Sequence, residues 1–248
     1  MSSLIETPPE SAAELVLDKP RPLVEHLEEL RARLIRALLG WSAATGVAFW
    51  LYPRLLPLII RPPVTRLVFT SPVEPFFMQM KVAMVGGIIL AFPWLLYQAS
   101  AFVSIALKPR EKRWLFRLIP ASYLLFLTGG AIGLFGAGPI GMRFLLAYAT
   151  PQLVPFITLN AYVGYLTYLT LGLAVLFQLP IVLFLLATLG VLKLGTLTYY
   201  RRHVFLGILI VAAAITPGPD IFSQLLVTIP TYILYELSIL AIWIRGRK

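Results

Sequence analysis

From Lys81 to Lys108 the chain carries no charged side chain. That run is longer than the ~20 apolar residues a helix needs to cross a bilayer. It is not isolated: Arg36 to Arg54 and Arg117 to Arg143 are equally free of charge. Charged residues make up only 13% of the chain and the mean hydropathy is +0.85, where soluble domains carry about 25% charge. Backbone buried in hydrocarbon must satisfy its own hydrogen bonds, so such stretches are read as helices. The expectation is an all-α membrane protein.

Taken in order, residues 1–22 hold four prolines and four acids and read as a mobile cytoplasmic tail. A membrane domain then occupies 23–248. Its first span runs from about Leu34 to Tyr52. Residues 53–75 read as a loop, because six prolines there oppose a continuous helix. The second span runs from about Pro75 to Leu107, with a kink expected at Pro93. A basic loop, Lys108–Arg113, leads into a third span from about Leu115 to Ala137, where Gly129, Gly130 and Gly133 allow close helix approach. Gly138–Asn160 reads as a loop. The fourth span lies within Ala161–Leu192 and is interrupted at Gln178-Leu179-Pro180. After a short basic loop, Lys193–His203, the run Val204–Thr216 is only about 20 Å long as a helix, less than the ~30 Å hydrocarbon core. The last run starts at Ile221 and reaches Glu236 before ending at Trp243. Six spans are expected, the fifth and sixth forming a short hairpin that thins the membrane or is shielded by neighbours.

Basic residues gather on one side of this scheme, in Arg31–Arg36, Lys108–Arg117, Lys193–Arg202 and Arg245–Lys248. The positive-inside bias therefore puts both termini in the cytoplasm. The same bias accounts for the net charge of +10, so no nucleic-acid partner is inferred from it. There is no cysteine, and His26 and His203 lie far apart. Neither a metal nor another cofactor is expected. No Ser/His/Asp set or phosphate loop converges, so an enzyme is not expected either.

Ahead of the first span lies His26-Leu-Glu-Glu-Leu-Arg-Ala-Arg-Leu34. Its leucines repeat at helical spacing, and Glu29–Arg33 is a favourable i,i+4 pair. One reading is a helix leading into the membrane with merely solvated charges; the other is a carboxylate-bearing platform at the membrane surface. A guanidinium ligand grips a carboxylate through paired N–H groups, which a lysine cannot imitate. A cytoplasmic pocket holding Glu29 and Glu111 would suit two arginines. Glu236 sits about 13 Å deeper than Arg245 along a helix. At that depth an ionisable group marks either a partner-facing position or an internally bonded structural one. Gln178 places an amide at bilayer depth, where an interhelical hydrogen bond is the plain expectation.

HLEELRARL, SPVEPFFMQMK (71–81), AFPWLLYQ (91–98) and FVSIALKPREKR (102–113) resemble, in that order, the TatC family, receptor subunits of the twin-arginine protein translocase. FQLP (177–180), TPGPDIFSQ (216–224) and IPTYILYE (229–236) continue the resemblance, which covers about residues 22–243. It implies six helices in a curved, concave arrangement in the bacterial inner membrane. It also implies binding of the twin-arginine signal peptides of folded precursors at the cytoplasmic face, the single-span partners TatA and TatB, self-association in a larger complex, and transport driven by the proton-motive force. By position, Glu29 and Glu111 would be the acidic partners of the signal arginines, with Arg31 and Phe102 in the same region. Pro63 and Glu74 match the first outer loop. Asp220 and Gln224 match the polar start of the last helix, where a single-span partner docks, and Glu236 matches the acid near its inner end. Where family members often carry a buried glutamate, this chain has Gln178, so a charge-based role there is in doubt. A small-molecule or ion transporter is the alternative; it would need midplane binding groups on broken helices, for which Pro93, Gln178 and Pro180 are the only hints.

Overall fold

The computed structural model describes residues 23–64, 67–150, 152, 154–216 and 220–246, and these are almost entirely helical. The expected tail, 1–22, lies outside the described residues. So do Gly218 and its flanking prolines.

The first helix, α1, runs Leu23–Ile59. At 1.5 Å per residue it is roughly 55 Å long, well beyond a bilayer's hydrocarbon core. This corrects the expected loop from residue 53, since α1 contains Pro53 and Pro57. In the membrane a proline is tolerated where local backbone adjustment and neighbours meet the freed carbonyl. Helix α2 runs Glu74–Val103 and ends in a 3-10 turn, Ser104–Ala106.

Helix α3, Pro109–Ala131, continues through a π turn, Ile132–Ala137, into α4, Gly138–Leu146. The third apolar segment is therefore helical nine residues past Ala137. The wide turn shifts the register so that Pro139 stands in the first turn of α4, where a missing N–H costs little.

Helices α5, Leu159–Leu176, and α6, Leu179–Thr188, are separated at Phe177–Gln178, the interruption expected from Gln178 and Pro180. The anticipated basic loop 193–203 is instead a short helix, α7, Leu194–Tyr199, followed by α8, Arg201–Ile215. Helix α8 has only 15 residues, as the count required. The last helix, α9, is not short: it runs Ile221–Gly246, 26 residues. It passes through Glu236 because that charge is neutralised by Arg201, as described below.

Side-chain contacts fix the helix directions. Along α1 and α2, His26 meets Phe102, Arg33 meets Gln98, and the Trp94 indole N–H donates to the Arg36 carbonyl at 3.0 Å. These two helices are antiparallel. Near their middle, a Cβ on Gly87 would stand 2.8 Å from the Thr45 backbone, so only glycine fits that approach. Phe92 stacks on Phe126 and Tyr97 meets Phe116, so α3 runs opposite to α2. Gly129 and Gly133 bring α3 and the π turn against the α5 backbone: a Cβ on either would lie 2.6–2.7 Å from the Leu173 or Leu169 carbonyl oxygen. Gly130 meets nothing closer than 3.7 Å and is no close-approach position. Helix α9 starts beside the end of α4, where Phe144 stacks on Phe222, and runs back so that Tyr235 donates to the Leu197 carbonyl.

Helix α5 is the axis of the fold. Tyr162, Leu166, Leu169 and Leu173 are buried on it, with Val82, Met142 and Val227 from α2, α4 and α9 packed into the same core. A second core, Leu197, Ile208, Tyr235 and Ile239, closes the α7–α8–α9 corner. By contrast, the apolar stretch of α1 is only 6% buried, and α1 hangs on α2 at the margin. Among the described residues, five helical segments are long and apolar enough to cross a membrane: 24–59, 74–103, 111–146, 159–188 and 221–244.

Candidate functional site

The antiparallel packing brings the start of α1, the end of α2 and the start of α3 to one end of the molecule, called here the near end. Glu29 and Glu111 both lie there. The Glu29 carboxylate accepts two hydrogen bonds from Arg33, from Nη2 at 2.8 Å and from Nε at 3.2 Å, both on Oε1. A third Arg33 nitrogen, Nη1, reaches the Gln98 side-chain oxygen on α2 at 3.4 Å. The two ionic side chains are 20% and 24% exposed, and Gln98 is only 4% exposed. One guanidinium thus ties the α1 carboxylate to a buried amide on the neighbouring helix.

Beside it, Phe102 stacks on His26 with ring centroids 4.5 Å apart. Arg31 is exposed on the same stretch of α1. Glu111 is in the first turn of α3, where one oxygen accepts the Lys108 backbone N–H at 3.0 Å. A carboxylate there is also favoured by the helix dipole. The spacing Glu29–Arg33 was readable from sequence. Gln98 was missed as a site residue; an amide just inside the near end of a charge-free run was the available signal.

At the far end, Glu74 fastens two loops. Its Oε2 accepts from the Thr70 N–H at 2.7 Å and the Thr70 hydroxyl at 3.0 Å; its Oε1 accepts from the Asn160 N–H at 2.8 Å. The same loops meet through Val68 and Thr158, where the Leu159 N–H donates to the Val68 carbonyl at 2.8 Å. Lys81, two turns along α2, donates to the Asn160 side-chain oxygen at 3.2 Å. A groove of about 840 Å³ opens here, with Trp41, Glu74, Phe77 and Lys81 on its walls. Pro63 is half-buried before Val64, away from Glu74, and lines a separate recess with Val68 and Phe156.

Gln178 stands at the α5–α6 break. Its side-chain oxygen accepts from the Ser122 hydroxyl of α3, and its amide donates to the Ser122 carbonyl at 3.2 Å and the Ala174 carbonyl at 3.4 Å. This is the interhelical bonding expected for an amide at that depth. The α8–α9 hairpin is tied at both ends. Near its turn, Asp220 caps α9 by accepting the Ser223 N–H at 2.6 Å, and Gln224 donates to the Leu209 carbonyl of α8 at 2.8 Å. At the near end Glu236 accepts from Arg201 at 2.9 Å and from the Tyr232 hydroxyl at 2.9 Å. Arg201 had no assigned part before; Tyr232, four residues from Glu236 on one helix, was the readable partner.

An almost wholly helical, multi-pass membrane protein with polar clusters at both ends and in the middle of its bundle is the class these features define. Residues 25–230 match the family model described as Sec-independent protein translocase protein (TatC), and the chain belongs to that family. The TatC protein of Carboxydothermus hydrogenoformans is 36% identical over 225 residues, covering 90% of this chain and 93% of that protein. That of Aquifex aeolicus is 33% identical, covering 88% of this chain and 93% of that one. Among solved structures, a crystal structure of the twin-arginine translocase receptor TatC in DDM superposes with a TM-score of 0.78 at 31% identity, covering 87% of this chain and 98% of that one. The protein is a component of the Sec-independent protein translocase, and its business is protein transport across a membrane.

Proposed function

We propose that this chain is the receptor subunit that holds twin-arginine signal peptides of folded precursors, through Glu29 and Glu111 at the near end. The observation that carries the reading is the Arg33–Glu29–Gln98 arrangement: a partly exposed carboxylate, already shaped to take guanidinium N–H groups, at the end where Glu111 also lies. Arg31 and the Phe102 ring border the same place. The near end is the cytoplasmic face, because the basic segments gather there, and both termini are on that side of a bacterial inner membrane. Six passes follow, with the 15-residue α8 counted as the fifth, in the concave arrangement the family implies. The membrane domain begins at residue 23.

Asp220, Gln224 and the lipid-exposed start of α9 offer docking for a single-span partner of the TatA or TatB kind. Gln178 serves there as a neutral hydrogen-bonding tie, and Pro63 and Glu74 hold the outer loops in shape for transport driven by the proton-motive force.

The test is binding of a fluorescent twin-arginine signal peptide to the purified protein. A charge-assisted hydrogen bond contributes about 1.5–3 kcal/mol, so Glu29→Gln and Glu111→Gln should each weaken binding by roughly 10- to 150-fold. A double variant that binds as the parent does, with its helical content intact, overturns the assignment.

A further inference from the structure

The geometry points to Arg33 as a resident stand-in for the ligand's guanidinium, one that occupies Glu29 until an incoming arginine displaces it toward Gln98. This rests on the reading of Glu29 as a signal-peptide carboxylate and adds a specificity device to it.

Arg33 holds Glu29 in a grip weaker than the best available. Both of its bonds converge on one oxygen, Oε1, at 2.8 and 3.2 Å. The strongest arginine–carboxylate pairing spreads two parallel N–H bonds over both oxygens. The spacing of four residues along α1 constrains the resident side chain, whereas an arginine on a separate peptide is free to adopt the forked pose. Displacement also leaves Arg33 with somewhere to go. Its Nη1 already lies 3.4 Å from the Gln98 oxygen, at the long limit of a hydrogen bond, and that amide is buried on α2. Drawing closer to Gln98 keeps the guanidinium bonded while Glu29 changes partner, so no charge is stranded in a part-buried place.

Such an exchange filters ligands. A lysine offers a point charge without a planar fork and cannot match what it must replace. A ligand arginine can. The resident arginine thus raises the threshold for every cation and raises it most for lysine.

The measurement is peptide affinity in the full-length protein, with a twin-arginine peptide and its twin-lysine counterpart. Arg33→Gln should tighten twin-arginine binding by up to about fivefold, the scale of a part-exposed ion pair. It should tighten twin-lysine binding by a larger factor, so that discrimination shrinks. Arg36→Gln removes an equal charge one turn further on and should change neither affinity appreciably. A purely structural clamp predicts the opposite sign, because losing it would slacken the α1–α2 contact and weaken binding. If Arg33→Gln does not fold, Arg33→Lys tests the same point: it keeps the charge, loses the fork, and should still improve twin-arginine binding. Unchanged or weaker binding in the Arg33 variants, with Glu29→Gln still impaired, overturns the stand-in and leaves the receptor reading intact. Equal gains from Arg33→Gln and Arg36→Gln reduce the effect to general electrostatics and also overturn it. If Glu29→Gln binds like the parent, the receptor reading itself has failed.

Discussion

Three oxygen–hydrogen contacts to one carboxylate make Glu74 the most tightly specified acid of the far end. All its partners donate: two backbone N–H groups and a hydroxyl. Replacing it with glutamine keeps one acceptor oxygen but turns an amide N–H toward a donor that has nowhere else to bond. Leaving such a group unsatisfied costs about 1–3 kcal/mol. Glu74→Gln should therefore lower the apparent melting temperature in detergent and speed proteolysis in the 60–74 loop, while Glu74→Gln that melts with the parent would show that the two loops are held elsewhere. The glycines of the third segment allow a sharper comparison within one helix. A methyl at Gly133 would lie 2.7 Å from the Leu169 carbonyl oxygen and the Thr170 Cα, backbone atoms that cannot yield. A methyl at Gly130 meets only ordinary contacts from 3.7 Å outward. Gly133→Ala should cost about 1–3 kcal/mol by overpacking, and Gly130→Ala should be neutral or slightly stabilising because alanine favours the helix. Thermal unfolding of the two proteins side by side checks the difference.

At the scale of elements, the α8–α9 hairpin depends on its ties more than on its length. Arg201 and Glu236 are 45% and 36% exposed, so solvent discounts their attraction to about 0.2–1 kcal/mol. Gln224 acts at the other end, donating to a carbonyl on the facing helix. Glu236→Gln, which can still accept from Tyr232, should leave the melting temperature nearly unchanged, whereas Gln224→Leu removes the interhelical bond and should lower it measurably. The same scale shows which elements sequence could disclose. The break at Gln178 and the brevity of α8 follow from proline placement and simple counting. The end of α1 does not: Pro53 and Pro57 oppose a helix in water, but inside a bilayer an unpaired carbonyl has few other states to prefer, so the helix persists to Ile59. For the same reason α3 and α4 remain one rod across Pro139, with the π turn absorbing the mismatch. Among site residues, Glu29–Arg33 was legible because four residues make one helical turn. Glu74–Asn160, Arg33–Gln98 and Arg201–Glu236 join positions 86, 65 and 35 apart, and no local pattern encodes such pairs. Their chemistry was visible as acids and amides in apolar surroundings; their partners required the fold.

Across the whole molecule, unequal helix lengths set a constraint on the surrounding bilayer. Helix α1 is roughly 55 Å long and α8 roughly 22 Å, yet both are placed by neighbours that share one pair of ends. A uniform ~30 Å hydrocarbon layer cannot match both. The excess of α1 falls on the amphipathic stretch that carries Glu28, Glu29, Arg31 and Arg33, which projects into water and so lies open to a ligand. The deficit of α8 falls at the hairpin, where the bilayer thins or α9 and α5 cover the ends. This arrangement works as a receptor only if the near end is cytoplasmic, and the absence of cysteine from the chain makes that directly measurable. Single cysteines at Lys112 and Thr196, exposed at the near end, and at Gln152 and Val154, exposed at the far end, can be probed with a membrane-impermeant maleimide. Intact cells should label the Gln152→Cys and Val154→Cys proteins, and inverted vesicles the Lys112→Cys and Thr196→Cys proteins. The reverse pattern would place Glu29 outside the cell, where no precursor awaits export, and the charge bias of the loops would then need another cause.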